Sequence, residues 1–196
     1  LGSRNFDHPG FGQDNASLAF IQPGSSIKPL VYAELFSQKP AGQPNYGSGS
    51  ILSDTRTTFP GNYTPNNADK GFRGNINIRQ ALATSRNIPA IKAMAASGVK
   101  PTWEMIRAAG DTLYCTQGAD AQAGLSSAIG GCGTRQIDHV NAFSTLARGG
   151  IYKPHTSILE VKNSQGDTLK KWKDESKQVI DPQVAYIISD IMSDAN

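Results

Sequence analysis

A Pro-Gly turn that runs straight into an apolar helix, Gln22-Pro23-Gly24-Ser25-Ser26-Ile27-Lys28-Pro29-Leu30-Val31-Tyr32, constrains this chain more than any other stretch. Ser25 and Lys28 stand three residues apart at its start. Side chains at i and i+3 on a helix are neighbours, about 5–6 Å apart at Cβ, so the lysine amine reaches the serine hydroxyl. The expected helix is amphipathic, with Leu30, Val31, Leu35 and Phe36 at helical spacing. Its N-terminus offers unpaired backbone N–H groups and the positive dipole end, which suit a developing oxyanion and disfavour a second positive charge on Lys28. A lysine neutralised by burial or by a neighbouring cation acts as a general base near neutral pH. A second Ser-x-x-Lys, Ser97-Gly98-Val99-Lys100, ends a helical run, holds a glycine and is closed by Pro101. Those are helix-stop signals, so only Ser25 has the turn-then-helix context.

Length and charge narrow the functional classes. The 196 residues, 38% hydrophobic and 18% charged, are enough for one full core and lack the composition of a disordered chain. The net charge is +3, and the lysines of residues 162–177 alternate with Glu160, Asp167, Asp174 and Glu175, as on a solvated face. With no aromatic-basic pattern or reading helix beside them, these charges argue against nucleic-acid binding. His8, His139 and His155 are scattered, and no Cys/His spacing suits a metal, so neither metal nor cofactor is expected. No apolar run approaches the roughly 18 residues of a membrane span, and no signal peptide opens the chain at Leu1. The expectation is a piece of a longer protein, with residues 1–196 as one partial domain.

Along the chain, residues 1–11 read as a strand end and a loop, residues 39–50 as a surface loop, and residues 51–58 as a short strand. A helix is expected over residues 76–84. It breaks at Ser85-Arg86-Asn87, and a second helix starts at once, with Asn87 as N-cap and Pro89 in its first turn. Ser85 and Asn87 therefore sit on a tight polar corner between two rigid elements. Ser3-Arg4-Asn5 repeats the tripeptide without that context. Further helices are expected over residues 102–109, over 136–148 with Thr134 capping it, and from Pro182 with Asp181 as cap and Val184, Ile187, Ile188 and Ile191 as its apolar stripe. A hairpin joins residues 156–161 to 168–172. Gly130-Gly131-Cys132-Gly133-Thr134 lacks the lysine of a phosphate loop and reads as a turn.

Ser25-x-x-Lys28 followed 60 residues later by Ser85-x-Asn87 resembles the serine acyl-transfer enzymes that include penicillin-binding proteins and class A β-lactamases. Gln22 to Pro29, Tyr63-Thr64-Pro65-Asn66-Asn67, the run from Ile78 to Ala90, Ala128-Ile129-Gly130-Gly131 and Ala147-Arg148-Gly149-Gly150 together look like the transpeptidase domain of bifunctional, class A penicillin-binding proteins. The likeness covers nearly the whole chain. It implies an α+β, β-lactamase/transpeptidase-like fold, a sheet flanked by helices, in a bacterial envelope protein anchored to the membrane outside this stretch. The implied reaction is D,D-transpeptidation of peptidoglycan stem peptides, with β-lactams acylating the same serine. Ser25 would be the nucleophile, Lys28 the base, Ser85 the proton relay to the leaving amine, and Asn87 a substrate-binding group that also helps to hold Lys28.

Departures matter as well. No lysine is followed by Thr-Gly or Ser-Gly, so the family's third motif is absent from the sequence, and the C-terminal strands that carry it are expected to be missing. Taken alone, such a chain is expected to be inert, with uncovered apolar faces over residues 156–172 and 180–192. After Glu104 come Met105, Ile106 and Arg107 in place of the Leu-Asn that follows a deacylating glutamate at that spacing, which favours a slow-deacylating transpeptidase over a β-lactamase. A β-lactamase, a D,D-carboxypeptidase and a non-catalytic penicillin-binding sensor or scaffold remain the alternatives. Cys115 and Cys132, in an exported domain and flanking a Gly/Asp/Gln-rich loop, are expected to pair.

Overall fold

The computed structural model describes residues 4–39, 41–42 and 45–194. Of the strand end and loop expected over residues 1–11, residues 1–3 lie outside the described residues, and residues 4–11 form bends and turns. In chain order come β1 (Phe20–Ile21), a 3-10 turn (Gly24–Ile27) continuing into α1 (Lys28–Ser37), and β2 (Ile51–Asp54). Next are β3 (Gly74–Asn77), α2 (Ile78–Ala83), α3 (Asn87–Ser97) and α4 (Val99–Ala109). The remainder is β4 (Thr134–Arg135), α5 (Gln136–Ala147), β5 (Ile151–Tyr152), β6 (Glu160–Lys162), β7 (Thr168–Lys171), β8 (Lys177–Gln178) and α6 (Pro182–Met192).

The core is built around α1. Every residue from Lys28 to Phe36 is buried, Glu34 included, so this helix is enclosed on all sides and is not the amphipathic helix expected. Its composition explains the difference. Pro29, Leu30, Val31, Tyr32, Ala33, Leu35 and Phe36 distribute apolar surface around the whole circumference, and a helix apolar all round belongs inside. α3, α4 and α6 pack on it. Burial pushes the Glu34 carboxyl above its usual range, and the Gln38 amide donates to it.

The class is α+β, and among the described residues every ladder is a two-stranded antiparallel pair: β1 with β4, β2 with β3, β5 with β8, and β6 with β7. The strand expected over residues 51–58 ends at Asp54, whose fully buried carboxylate turns into the interior. The helix expected from residue 76 starts at Ile78, because Gly74–Asn77 pairs with β2 and Asn77 then caps α2 by accepting from the Gln80 N–H. Arg86, not Asn87, occupies the N-cap position of α3. Thr134 does not cap α5 either: its hydroxyl donates to the Asp111 carboxylate, and Arg135 is the cap residue. Asp181 does cap α6. Contrary to expectation, the apolar face of α6 is covered, with Val184, Ala185, Ile188 and Ile191 buried where the helix meets α1, α2 and α5. Leu159 and Leu169 of the β6–β7 hairpin are 67% and 66% exposed, as the sequence suggested.

Cys115 and Cys132 form a disulfide across a sequence separation of 17. Closing a loop of that size stabilises a fold by about 3 kcal/mol in the chain-entropy account. Replacing both cysteines by alanine is expected to lower the urea midpoint by that equivalent, and an unchanged midpoint would contradict it.

Candidate active site

Ser25 sits in the 3-10 turn, and the turn is held from behind. Gly130, at φ +82°, approaches so closely that a Cβ there would lie 2.2 Å from the Gly24 carbonyl oxygen, so glycine is required at that contact. The Gln22 side chain donates to the Gly131 carbonyl at 3.0 Å, and β1 pairs with β4 on the same side. Ser25 is exposed while Lys28, one helical turn on, is 1% exposed. This places the amine beneath the hydroxyl at the head of the buried helix.

The Lys28 Nζ has four oxygens in reach: Ser85 O and Asn87 Oδ1 at 2.7 Å, Ser25 Oγ at 3.0 Å and Ser85 Oγ at 3.1 Å. A neutral amine has two hydrogens and one lone pair. The Ser85 carbonyl and the Asn87 amide oxygen can only accept, so they take both hydrogens and leave the lone pair for a serine hydroxyl. The orientation of the Asn87 amide is set independently, since its nitrogen donates to the Asn66 carbonyl at 2.8 Å. Burial, with the positive charge of Arg86 adding to it, brings the Lys28 pKa down from 10.5 to about 8. The arrangement can therefore extract a proton from Ser25 near neutral pH.

Ser85 and Asn87 reach Lys28 because their corner is locked from outside. Ser85 adopts φ +52°, a left-handed conformation that costs an ordinary side chain roughly 1 kcal/mol, and that turns the chain from α2 into α3. Asn67 Oδ1 accepts from the Asn87 N–H at 2.7 Å and from the Ile88 N–H at 3.4 Å, supplying the start of α3 with a cap from a distant loop. Asn87 is thus released from capping, and its side chain serves the site. Arg86 turns the other way: Nε donates to Asp54 at 2.7 Å, Nη1 to Asp69 at 2.7 Å, and Nη2 to the Gly71 carbonyl at 2.5 Å. Asn67 closes the network by donating to Asp54 at 2.7 Å.

Ser25, Lys28, Ser85 and Asn87 are thus brought together, and a cavity of about 330 Å³ lined by Ser25, Lys28, Ser85, Leu82, Phe143 and Met192 opens above them. Ser97 and Lys100 are not part of it. Ser97 donates to the Ala93 carbonyl within its helix, and the Lys100 side chain is 87% exposed beside Glu104. Sequence reasoning missed Asp54, Asn67, Asp69 and Arg86 as the frame of the corner. Arg86 stood inside the Ser-x-Asn motif and Asn67 inside the Tyr63–Asn67 run, but neither carried a signal of its partner. His139, set aside as scattered, lies against Ser26.

Comparison with solved structures places the fold. The chain superposes on a crystal structure of penicillin-binding protein 1A from Haemophilus influenzae with a TM-score of 0.79 at 20% identity, covering 97% of this chain and 32% of that one. PonA1 from Mycobacterium tuberculosis gives a TM-score of 0.79 at 24% identity, over 93% of this chain and 50% of that one. The fold is that of penicillin-binding, transpeptidase-like domains. In sequence, the chain is 29% identical over 189 residues to penicillin-binding protein 1F of Bacillus subtilis (strain 168), covering 95% of this chain and 24% of the relative. It is 29% identical to penicillin-binding protein 1A of Neisseria lactamica, over 92% of this chain and 23% of that protein. Both relatives are penicillin-binding proteins, and the chain spans about a quarter of their length. No protein-family model matches it.

Proposed function

We propose that this chain carries the acylation machinery of a peptidoglycan D,D-transpeptidase. The observation that supports this reading best is the Lys28 amine, buried, lowered to about 8 and held by two pure acceptors so that its lone pair faces serine hydroxyls. In the proposed reaction Ser25 Oγ attacks the carbonyl of the penultimate D-Ala of a stem peptide, and Lys28 takes the hydroxyl proton. The backbone N–H of Ser25 stabilises the oxyanion. Ser85, in contact with Lys28, passes the proton to the amine of the departing D-Ala, leaving an acyl-serine that an acceptor amine then resolves. Asn87 binds the substrate backbone while it holds Lys28.

A β-lactam acylates Ser25 by the same steps, with the ring nitrogen as the leaving amine that stays attached. Among the solved structures similar to this chain, penicillin-binding protein A from M. tuberculosis is an imipenem acyl-enzyme complex and PonA1 is in complex with penicillin V. The proposed setting is the outer face of a bacterial membrane, with the anchor outside this chain. No helix among the described residues is long and apolar enough to cross a membrane.

The test is to incubate the full protein that carries this chain, not the chain alone, with a fluorescent penicillin, digest it and map the adduct. The label is expected on the peptide that contains Ser25. An adduct at Ser97, or on no serine, would overturn the reading. Product analysis with a stem-peptide amine acceptor then separates transpeptidation from the hydrolysis that a carboxypeptidase or a β-lactamase would give.

A further inference from the structure

Beside the Ser25–Lys28 pair lies a second hydroxyl with its own base. Ser26 Oγ is 2.9 Å from His139 Nε2, and His139 Nδ1 is 2.6 Å from Asp111 Oδ2. Asp111 is fully buried, and its other oxygen accepts from the Thr134 hydroxyl, so the carboxylate is fixed in place. The His139 side chain is 15% exposed and its ring meets Phe143 edge-on at 5.1 Å. These contacts come from three separate parts of the chain: the nucleophile turn, the end of α4 and the first turns of α5.

The order of groups is hydroxyl, imidazole, buried carboxylate. A carboxylate on Nδ1 selects the tautomer whose proton sits there, leaving the Nε2 lone pair directed at Ser26. The Ser26 hydroxyl has one proton and a second acceptor in reach, the Pro23 carbonyl at 2.7 Å, so His139 competes for that proton and withdraws it when an electrophile approaches Oγ. Such an array is recognised by geometry and roles, not by the order of its members in sequence. Ser26 also stands between two cavities. One is the Ser25 cavity, and the other is a groove of about 690 Å³ whose walls include Val140, Phe143, Leu146 and Met192.

We propose that Ser26, His139 and Asp111 form a second nucleophilic site, separate from Ser25 and Lys28, that takes short apolar carboxylic esters with the acyl chain in this groove. Ser26 Oγ bonds to the ester carbonyl carbon while His139 Nε2 takes the hydroxyl proton. The C–O bond to the alcohol then breaks, His139 returns the proton to the departing alkoxide, and an acyl-Ser26 ester and a free alcohol remain. Water, deprotonated by His139, releases the carboxylic acid and restores Ser26. No oxidant, metal or cofactor enters the balance.

The probe is an alkyl fluorophosphonate, applied to the full protein that carries this chain with the substitution Ser25→Ala, so that labelling does not depend on the penicillin-directed serine. Ser26 Oγ displaces fluoride, and peptide mapping is expected to find one phosphonyl group per chain on Ser26. His139→Gln in the same background is expected to slow labelling at least about 10²-fold, the effect of removing a positioned general base, with the rate read on the folded fraction because buried Asp111 loses its imidazole partner. A folded Ser25→Ala protein without label on Ser26, or label that forms equally fast in the His139→Gln protein, overturns the proposal. Because penicillin capture at Ser25 is measured separately on the unsubstituted protein, failure here leaves the transpeptidase reading intact.

Discussion

Ser25→Ala is expected to abolish covalent capture of penicillin, and Lys28→Ala to slow it by about 10²- to 10⁴-fold, the range associated with a positioned general base. The two differ because the first removes the atom that is acylated and the second only its activation. The pH profile carries the stronger test. With Lys28 at about 8, roughly a tenth of the amine is neutral at pH 7, and acylation rises with pH through about 8 as the lone pair becomes available. Stability moves in the same direction. The folded protein releases the Lys28 proton near pH 8 and the unfolded chain near 10.5, so between these values the unfolded state binds more protons and stability rises with pH. Below about 8 both states hold the proton, and the full destabilisation from burying the charge is present. Lys28→Met removes the Lys28 part of this slope, leaving that of Lys92, whose pKa burial also lowers, and slows acylation as Lys28→Ala does. An acylation rate that falls as pH rises from 7 to 9, or a Lys28→Met protein whose stability slope is undiminished, would reject Lys28 as the base.

The chemistry was easier to read in the sequence than its support. Ser25 and Lys28 are three residues apart on one helix, so local geometry alone brings them together. Ser85 and Asn87 were legible as a corner because helical patterns run up to Thr84 and resume after Arg86. That the corner would meet Lys28 came only from the resemblance, since a separation of 57 or 59 residues is invisible to periodicity. The cap of α3 was misassigned for the same reason. Asn87 is chemically a good cap, but Asn67 does that work from twenty residues upstream. Local propensity cannot tell which of two asparagines the backbone uses. The enclosure of α1 is legible only when all its positions are taken together, since Leu30, Val31, Leu35 and Phe36 alone define one face while Pro29 to Phe36 contains a single charged residue, Glu34. The Asp111–His139–Ser26 contacts were beyond reach altogether, as they join segments 28 and 113 residues apart.

Arg86→Ala is expected to destabilise the protein by about 3–5 kcal/mol, the effect of breaking a buried pair from one side and leaving its partner's charge unsatisfied. Here the stranded group is Asp54, fully buried, which would keep only the Asn67 amide and the Arg73 backbone N–H as donors. Arg86→Lys does not repair this. An ammonium lacks the planar fork that reaches Asp54, Asp69 and the Gly71 carbonyl together. A second effect separates this role from a merely structural one. The positive charge of Arg86 helps to lower the Lys28 pKa, so its removal raises that pKa and moves the rise in acylation to higher pH, while Arg86→Lys, which keeps a charge nearby, moves it less. Acylation profiles of the folded fraction, taken beside urea midpoints, read both effects. A midpoint unchanged by Arg86→Ala, or a profile displaced toward lower pH, would show that the Ser85–Asn87 corner and the charge on Lys28 are not governed by this arginine.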